Sequence, residues 1–227
     1  MAQPQTDQSA LTPSWNLVPK NFQLVRPRIE QIVVILLLPI LTISLGSLLI
    51  PSYSTHLTIG WFVIVIGFLW WLVNMAAMYY LQVSAAKNKI VGTADLYRKS
   101  WRYLGRLLGF TILFAAMLII GFILLIVPGF IVLRRYILTS YYIVDKDLPI
   151  GQAMKLSAAQ TKPVHGYLWG TLGVYLVLSL AASLFSLIFV FIPGATVIVT
   201  TLLVPFYYFL LVLRYTEITN NSKITVD

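Results

Sequence analysis

The sequence predicts an all-α, polytopic membrane protein of about six transmembrane helices, arranged as three hairpins with amphipathic interfacial helices on the cytoplasmic face. Three observations predict it. Of 227 residues, 59% are hydrophobic and only 10% are charged, whereas a soluble domain carries about 25% charged residues. Several apolar runs exceed the roughly 18 residues that mark a membrane helix. The basic residues fall on alternate connections between those runs, the pattern of a chain with its cationic loops inside.

Residues 1–19 are rich in Gln, Ser, Thr and Pro and lack a basic start followed by an apolar core. They read as a disordered cytoplasmic tail, not a signal peptide. A single transmembrane domain is expected over 20–217, and a second cytoplasmic tail over 218–227. Its hairpins cover about 31–81, 107–144 and 166–213. Pro51, Pro128 and Pro193 mark the outer turns, because proline cannot continue a helix yet fits the first turn of the next. A run of ~20 residues spans the ~30 Å hydrocarbon core. The fourth run, Gly129 to Val144, would reach only ~24 Å.

Charge sets the expected orientation. Lys20, Arg26 and Arg28 precede the first run. Lys87, Lys89, Arg98, Lys99, Arg102 and Arg106 separate the second from the third. Lys146, Lys155 and Lys162 separate the fourth from the fifth, and Arg214 and Lys223 follow the last. With six spans, every charge outside a span lies on the side of both termini. The net charge of +9 is then a topological signal first, and no nucleic-acid partner is inferred from it. The seven acidic residues share that side, which the rule does not require.

The second and third hairpins align at an offset of 65 residues, with Gly105 on Gly170, Pro128 on Pro193 and Gly129 on Gly194. This suggests an internal repeat of parallel hairpins. Gly105 and Gly109 also have the small-residue spacing that lets helices approach closely. Interfacial helices are expected at about 93–106 and 149–161. In the first, Tyr97, Trp101, Leu104 and Leu108 form an apolar stripe widened by Leu96 and Leu107. Arg98, Lys99, Arg102 and Arg106 stand opposite, as orientation signals or as contacts for anionic headgroups.

The most informative residues are Arg134 and Arg135, five or more positions inside the fourth run. An arginine near mid-membrane costs at least ~2.5 kcal/mol and usually faces protein or water. No Asp or Glu falls within the runs to pair with them. They contact aromatic faces and carbonyls (Tyr136, Tyr141, Trp70, Trp71 and Asn74 are available), line a wet cavity, or bind an anion such as a lipid phosphate. Catalytic and metal sites are not expected. There is no cysteine, His56 and His165 are isolated, and no phosphate-binding loop of the G-xxxx-GK-S/T type occurs. No cofactor is implied.

The stretch Ile126-Val127-Pro128-Gly129-Phe130-Ile131-Val132-Leu133-Arg134, then Tyr142-Ile143-Val144-Asp145 and Ile150-Gly151-Gln152-Ala153-Met154-Lys155-Leu156-Ser157, resembles the membrane domain associated with bacterial glycerophosphodiester phosphodiesterases and related stand-alone membrane proteins. The resemblance covers roughly residues 90–217. In the fused proteins, hydrolysis belongs to a separate soluble barrel that this sequence lacks, so the enzyme activity is not carried over. The expectation is a non-enzymatic protein of a prokaryotic inner membrane. It binds or moves an amphiphilic anion, with membrane lipids as partners, or it scaffolds other envelope proteins. An intramembrane enzyme is the weakest reading, and self-association is open.

Overall fold

The computed structural model describes residues 11–48, 57–189, 191, 199, 203 and 205–221, and these form helices and their connections. A 3-10 turn at Ser14–Asn16 leads into α1 (Leu17–Val25). A second turn, Arg26–Arg28, leads into α2 (Ile29–Leu48). There follow α3 (Leu57–Ala86), α4 (Thr93–Leu124), α5 (Ile126–Tyr136), α6 (Thr139–Asp145), α7 (Ile150–Thr161), α8 (His165–Leu187), α9 (Pro205–Tyr208) and α10 (Leu210–Asn221). Among the described residues three helices are long and apolar enough to cross a membrane: Trp61–Ala86, Thr93–Leu124 and His165–Leu187.

Those helices turn hydrocarbon outward. Only 17% of the most apolar window of α4 is buried, and 22% of that of α8. Ile112, Ile119 and Ile123 on α4, and Leu176, Leu180 and Leu184 on α8, are exposed. A water-soluble monomer rarely tolerates contiguous apolar surface of this kind, whereas a bilayer favours it. The largest fully buried side chains lie elsewhere. Leu81 of α3, Leu96 and Leu107 of α4, Tyr142 and Ile143 of α6, and Tyr215 of α10 meet in one core. The tightest packing is therefore around the short helices, next to the charged loops.

Several expectations are revised. The tail anticipated over residues 1–19 is folded from Leu11 onward: Leu17, Asn21 and Val25 form one buried stripe of α1, and Asn21 Oδ1 accepts a hydrogen bond from the Phe209 amide at 3.1 Å. The second tail begins inside α10, where Ile218 is fully buried. The interfacial segment 93–106 does not turn into the following span, because α4 is one unbroken helix. Its bundle face is Leu96, Ser100, Leu107 and Phe110, rotated by about 100° from the Tyr97–Trp101 stripe, and Trp101 stays exposed.

The fourth run is not one helix but two, α5 and α6, joined at Ile137–Leu138. The turns at Pro51 and Pro193 lie outside the described residues, as do residues 1–10 and 222–227 and His56.

At Pro128 the break comes early. Leu125 is extended (φ −169°, ψ 151°), and Pro128 sits in the first turn of α5, where its missing amide hydrogen costs no helical bond. The two helices then meet glycine to glycine. A Cβ on Gly121 would lie 2.9 Å from Gly129 Cα, whereas one on Gly105 would meet nothing within 4 Å. The spacing of Gly105 and Gly109 thus does not mark the closest approach.

Gly121→Ala must push backbone against backbone. It is expected to destabilise the protein by about 1–3 kcal/mol, while Gly105→Ala is near neutral or mildly stabilising. Thermal unfolding of both variants in the same detergent checks this, and equal midpoints would refute the contact.

Candidate functional site

The charged end of the bundle is built around two carboxylates, Asp145 at the end of α6 and Asp147 on the α6–α7 connection. α3 stops where Asn88 takes a left-handed conformation (φ 54°), and the Lys89 amide donates back to Ser84 O at 2.8 Å. This leaves Lys87 beside Asp145, in an ion pair. The Tyr215 hydroxyl donates to the other oxygen of Asp145 at 2.7 Å, so one carboxylate joins α3, α6 and α10. Asp147, also left-handed (φ 54°), is clasped by Arg102 and Arg106. Arg106 donates further to the carbonyls of Asp147 (2.9 Å) and Leu148 (3.2 Å). Arg106's hydrogen bond to the carboxylate, with the positive charge of both arginines, outweighs partial desolvation and holds the Asp147 carboxyl below its usual range.

Two of the four cations expected to meet headgroups therefore serve the fold. Arg102 and Arg106 pin the α6–α7 connection to α4. Arg98 and Lys99 remain exposed, and Arg98 approaches Asp95 at 3.9 Å.

Arg134 and Arg135 end up in different settings. The break after Tyr136 makes them the last turn of a short helix, and α7 comes up against it. Ser157 Oγ donates to Arg135 O at 2.8 Å. The Arg135 side chain is exposed and lies 5.8 Å from the centre of the Tyr136 ring. Of the partners suggested by sequence, Asn74 is engaged elsewhere, accepting from Tyr97 and donating to Trp70 O. Arg135 lines a groove of about 410 Å³ with Tyr136, Gly151, Met154, Lys155 and Lys162. Lys155 on α7 and Lys162 just past its end stand about two turns apart, and the small residues Ala158 and Ala159 line the groove between them. No carboxylate lines the groove, and among the described residues none of the three cations is ion-paired. Arg134 is half-buried, and its Nε is buried without a hydrogen-bond partner among the described residues.

Sequence reasoning misses Arg214, which reads there as one more topological charge. Its side chain is fully buried. Nε donates to Thr171 Oγ1 at 2.9 Å, Nη1 to Glu217 Oε2 at 2.8 Å and Nη2 to Ser14 Oγ at 3.2 Å. The guanidinium also lies 5.5 Å from the Tyr167 ring centre. It thus ties the amino-terminal segment, α8 and α10 together. Its partners Ser14 and Thr171 are distant in sequence, so no local pattern announces it. The signal that was available is the i, i+4, i+8 stripe Leu17–Asn21–Val25, which marks α1 as a docked helix.

No family model matches the chain, and neither does any curated protein or solved structure.

Two outcomes are expected from these contacts. Arg214→Met leaves the Ser14 and Thr171 hydroxyls without their buried donor, so a loss of about 3 kcal/mol in stability is expected. Limited proteolysis should then cut first near residues 11–16, and an uncut segment would show that the arginine does not hold it. Asp147 has a depressed pKa in the folded protein, so its contribution is complete at neutral pH and disappears as pH falls through that lowered value. The stability gap between wild type and Asp147→Asn should persist from neutral pH down to about 4, the ordinary carboxylate value. It should close only below that, as unfolding midpoints taken along a pH series will show.

Proposed function

We propose that this chain is a non-enzymatic integral membrane protein that binds, and as a fuller form of the reading translocates, a lipid-related or other amphiphilic anion. The observation that carries the proposal is the groove in which Arg135, Lys155 and Lys162 converge without a carboxylate. An arginine presents a planar pair of donors that matches a phosphate or carboxylate, and flanking lysines add charge without geometric demand. The setting suits a headgroup. The groove lies beside the loops that gather Lys87, Arg102 and Arg106, while the outward faces of α4 and α8 suit acyl chains.

In this proposal the charged end faces the cytoplasm of a prokaryotic cell and both termini lie there, as the charge distribution favours. In this reading five of the six passes are α2, α3, α4, the α5–α6 pair and α8, and the sixth falls largely outside the described residues. The α5–α6 pair together offers ~27 Å of helix, close to the ~30 Å of the hydrocarbon core.

The test is a triple charge-neutral variant, Arg135→Gln, Lys155→Gln and Lys162→Gln, compared with wild type in detergent. Each cation near an anionic surface contributes about 1 kcal/mol, so affinity for phosphatidylglycerol is expected to drop roughly a hundredfold. Phosphatidylcholine binding and the unfolding midpoint should hardly change. Unaltered discrimination between the two lipids would overturn the proposal.

A further inference from the structure

A second opening lies across α5 from the cationic groove. It is a cavity of about 520 Å³ lined by Tyr79, Phe130, Tyr141, Trp169, Gly173 and Tyr208, with leucines completing the wall. Its volume falls in the range of about 300–1,000 Å³ usual for small-molecule sites, and the mostly apolar, aromatic lining is also typical. The walls are braced. Tyr79 meets Tyr141 edge-on at 5.5 Å, and Phe130 meets Trp169 at 5.7 Å.

Three observations say what belongs there. The mouth opens toward the bilayer side: Phe130 and Leu176 line the cavity and are exposed, and Leu176 begins the row Leu176–Leu180–Leu184 along the outward face of α8. An occupant therefore arrives through hydrocarbon. The opening is wide, since Gly173 is exposed and a Cβ on it would meet nothing within 4 Å. Charge stands at the flank. Arg134 does not itself line the cavity; it follows Phe130 by one helical turn and adjoins the lining residue Leu133, with its side chain only half-buried. An apolar slot flanked by a guanidinium complements a molecule with a hydrocarbon chain and an oxyanion head.

We infer that this cavity houses a hydrocarbon chain of a phospholipid, drawn laterally from the bilayer with its phosphate directed to Arg134. The inference rests on the amphiphile-binding reading and narrows it, because it makes the ligand a long-chain lipid held within the bundle and excludes a free anion. The chain is recognised by shape and burial, and the head by charge. Filling the cavity should then remove lipids of every headgroup, whereas neutralising the groove should change only which headgroup is preferred.

The experiment is native mass spectrometry of the full-length chain in mild detergent with long-chain phosphatidylglycerol, dihexanoyl phosphatidylglycerol and inorganic phosphate as probes. Wild type should retain the long-chain lipid alone. Gly173→Phe, which places a ring across the opening, should lower that retention at least about tenfold, with an unchanged unfolding midpoint. Leu180→Phe, on the same outward row but outside the cavity, should retain lipid as wild type does. If Gly173→Phe does not fold, Leu176→Trp at the mouth supplies the same comparison.

Retention by the filled variant equal to wild type overturns the inference. So does an equal loss in Leu180→Phe, which would mean that only surface lipid was counted. Equal binding of dihexanoyl lipid or phosphate, with no effect of filling, overturns the cavity assignment while leaving the groove reading intact. Loss on filling with no headgroup shift in the groove variant does the reverse.

Discussion

The distribution of charge between the two ends of the helices governs this structure. The outward faces of α4 and α8 carry isoleucine and leucine, so no ionic group can be placed there without a large desolvation cost. Charged residues gather where the helices end, and there like charges would repel. Asp145 and Asp147 resolve this. Each stands where two or three elements converge, and each is met by the cations of a different helix. For Asp145 and Asp147, the proximity of acidic to basic residues has this local cause. An exposed pair such as Arg102–Asp147 is worth at most about 1 kcal/mol alone. The backbone carbonyls that Arg106 also binds turn it into a fixed junction between α4 and the start of α7.

The amino-terminal segment obeys the same logic with opposite burial. Its polar composition suggests a chain with too little hydrophobic surface to fold. It folds because its few apolar residues share one side and meet α9 and α10, where Leu17 is fully enclosed beside Tyr207 and Leu210. Burying Arg214 beneath it would be unfavourable for a lone cation. Glu217, two hydroxyls and an aromatic face compensate, and Lys20 approaches Glu217 from outside at 3.5 Å. The segment therefore closes over a satisfied polar centre, not an apolar one.

The long helices are legible in the sequence because their signal is local. Leu57 to Leu81 is apolar but for Thr58 and Asn74, and α3 covers it and continues to Ala86. The Pro128 turn is legible for the same reason. The interruption at Ile137–Leu138 is not, since neither proline nor glycine stands there. The next two residues, Thr139 and Ser140, are both buried, in a helix whose every residue from 139 to 144 is enclosed by neighbours. Tertiary packing decides that break, and a hydropathy reading sees only continuous apolar sequence. The amphipathic stripe of α4 is misjudged by about a quarter turn for a related reason. Two apolar faces are present, one for the bundle and one for lipid, and periodicity cannot say which is which.

The break in the fourth run also bears on the arginines. In an unbroken helix, Arg134 and Arg135 would be carried past the hydrocarbon with no carboxylate to meet them. Ending α5 at Tyr136 places them in a last helical turn, where the negative end of the helix dipole favours cations. α7 then presses against the same turn through Ser157. Consecutive residues on a helix point about 100° apart, so one short helix can send Arg135 to the groove it shares with α7 while Arg134 stays near the aromatic cavity. The proposed anion-binding reading uses this separation: Arg135 supplies the cation of the groove, and Arg134 flanks the cavity on the other side of the same helix.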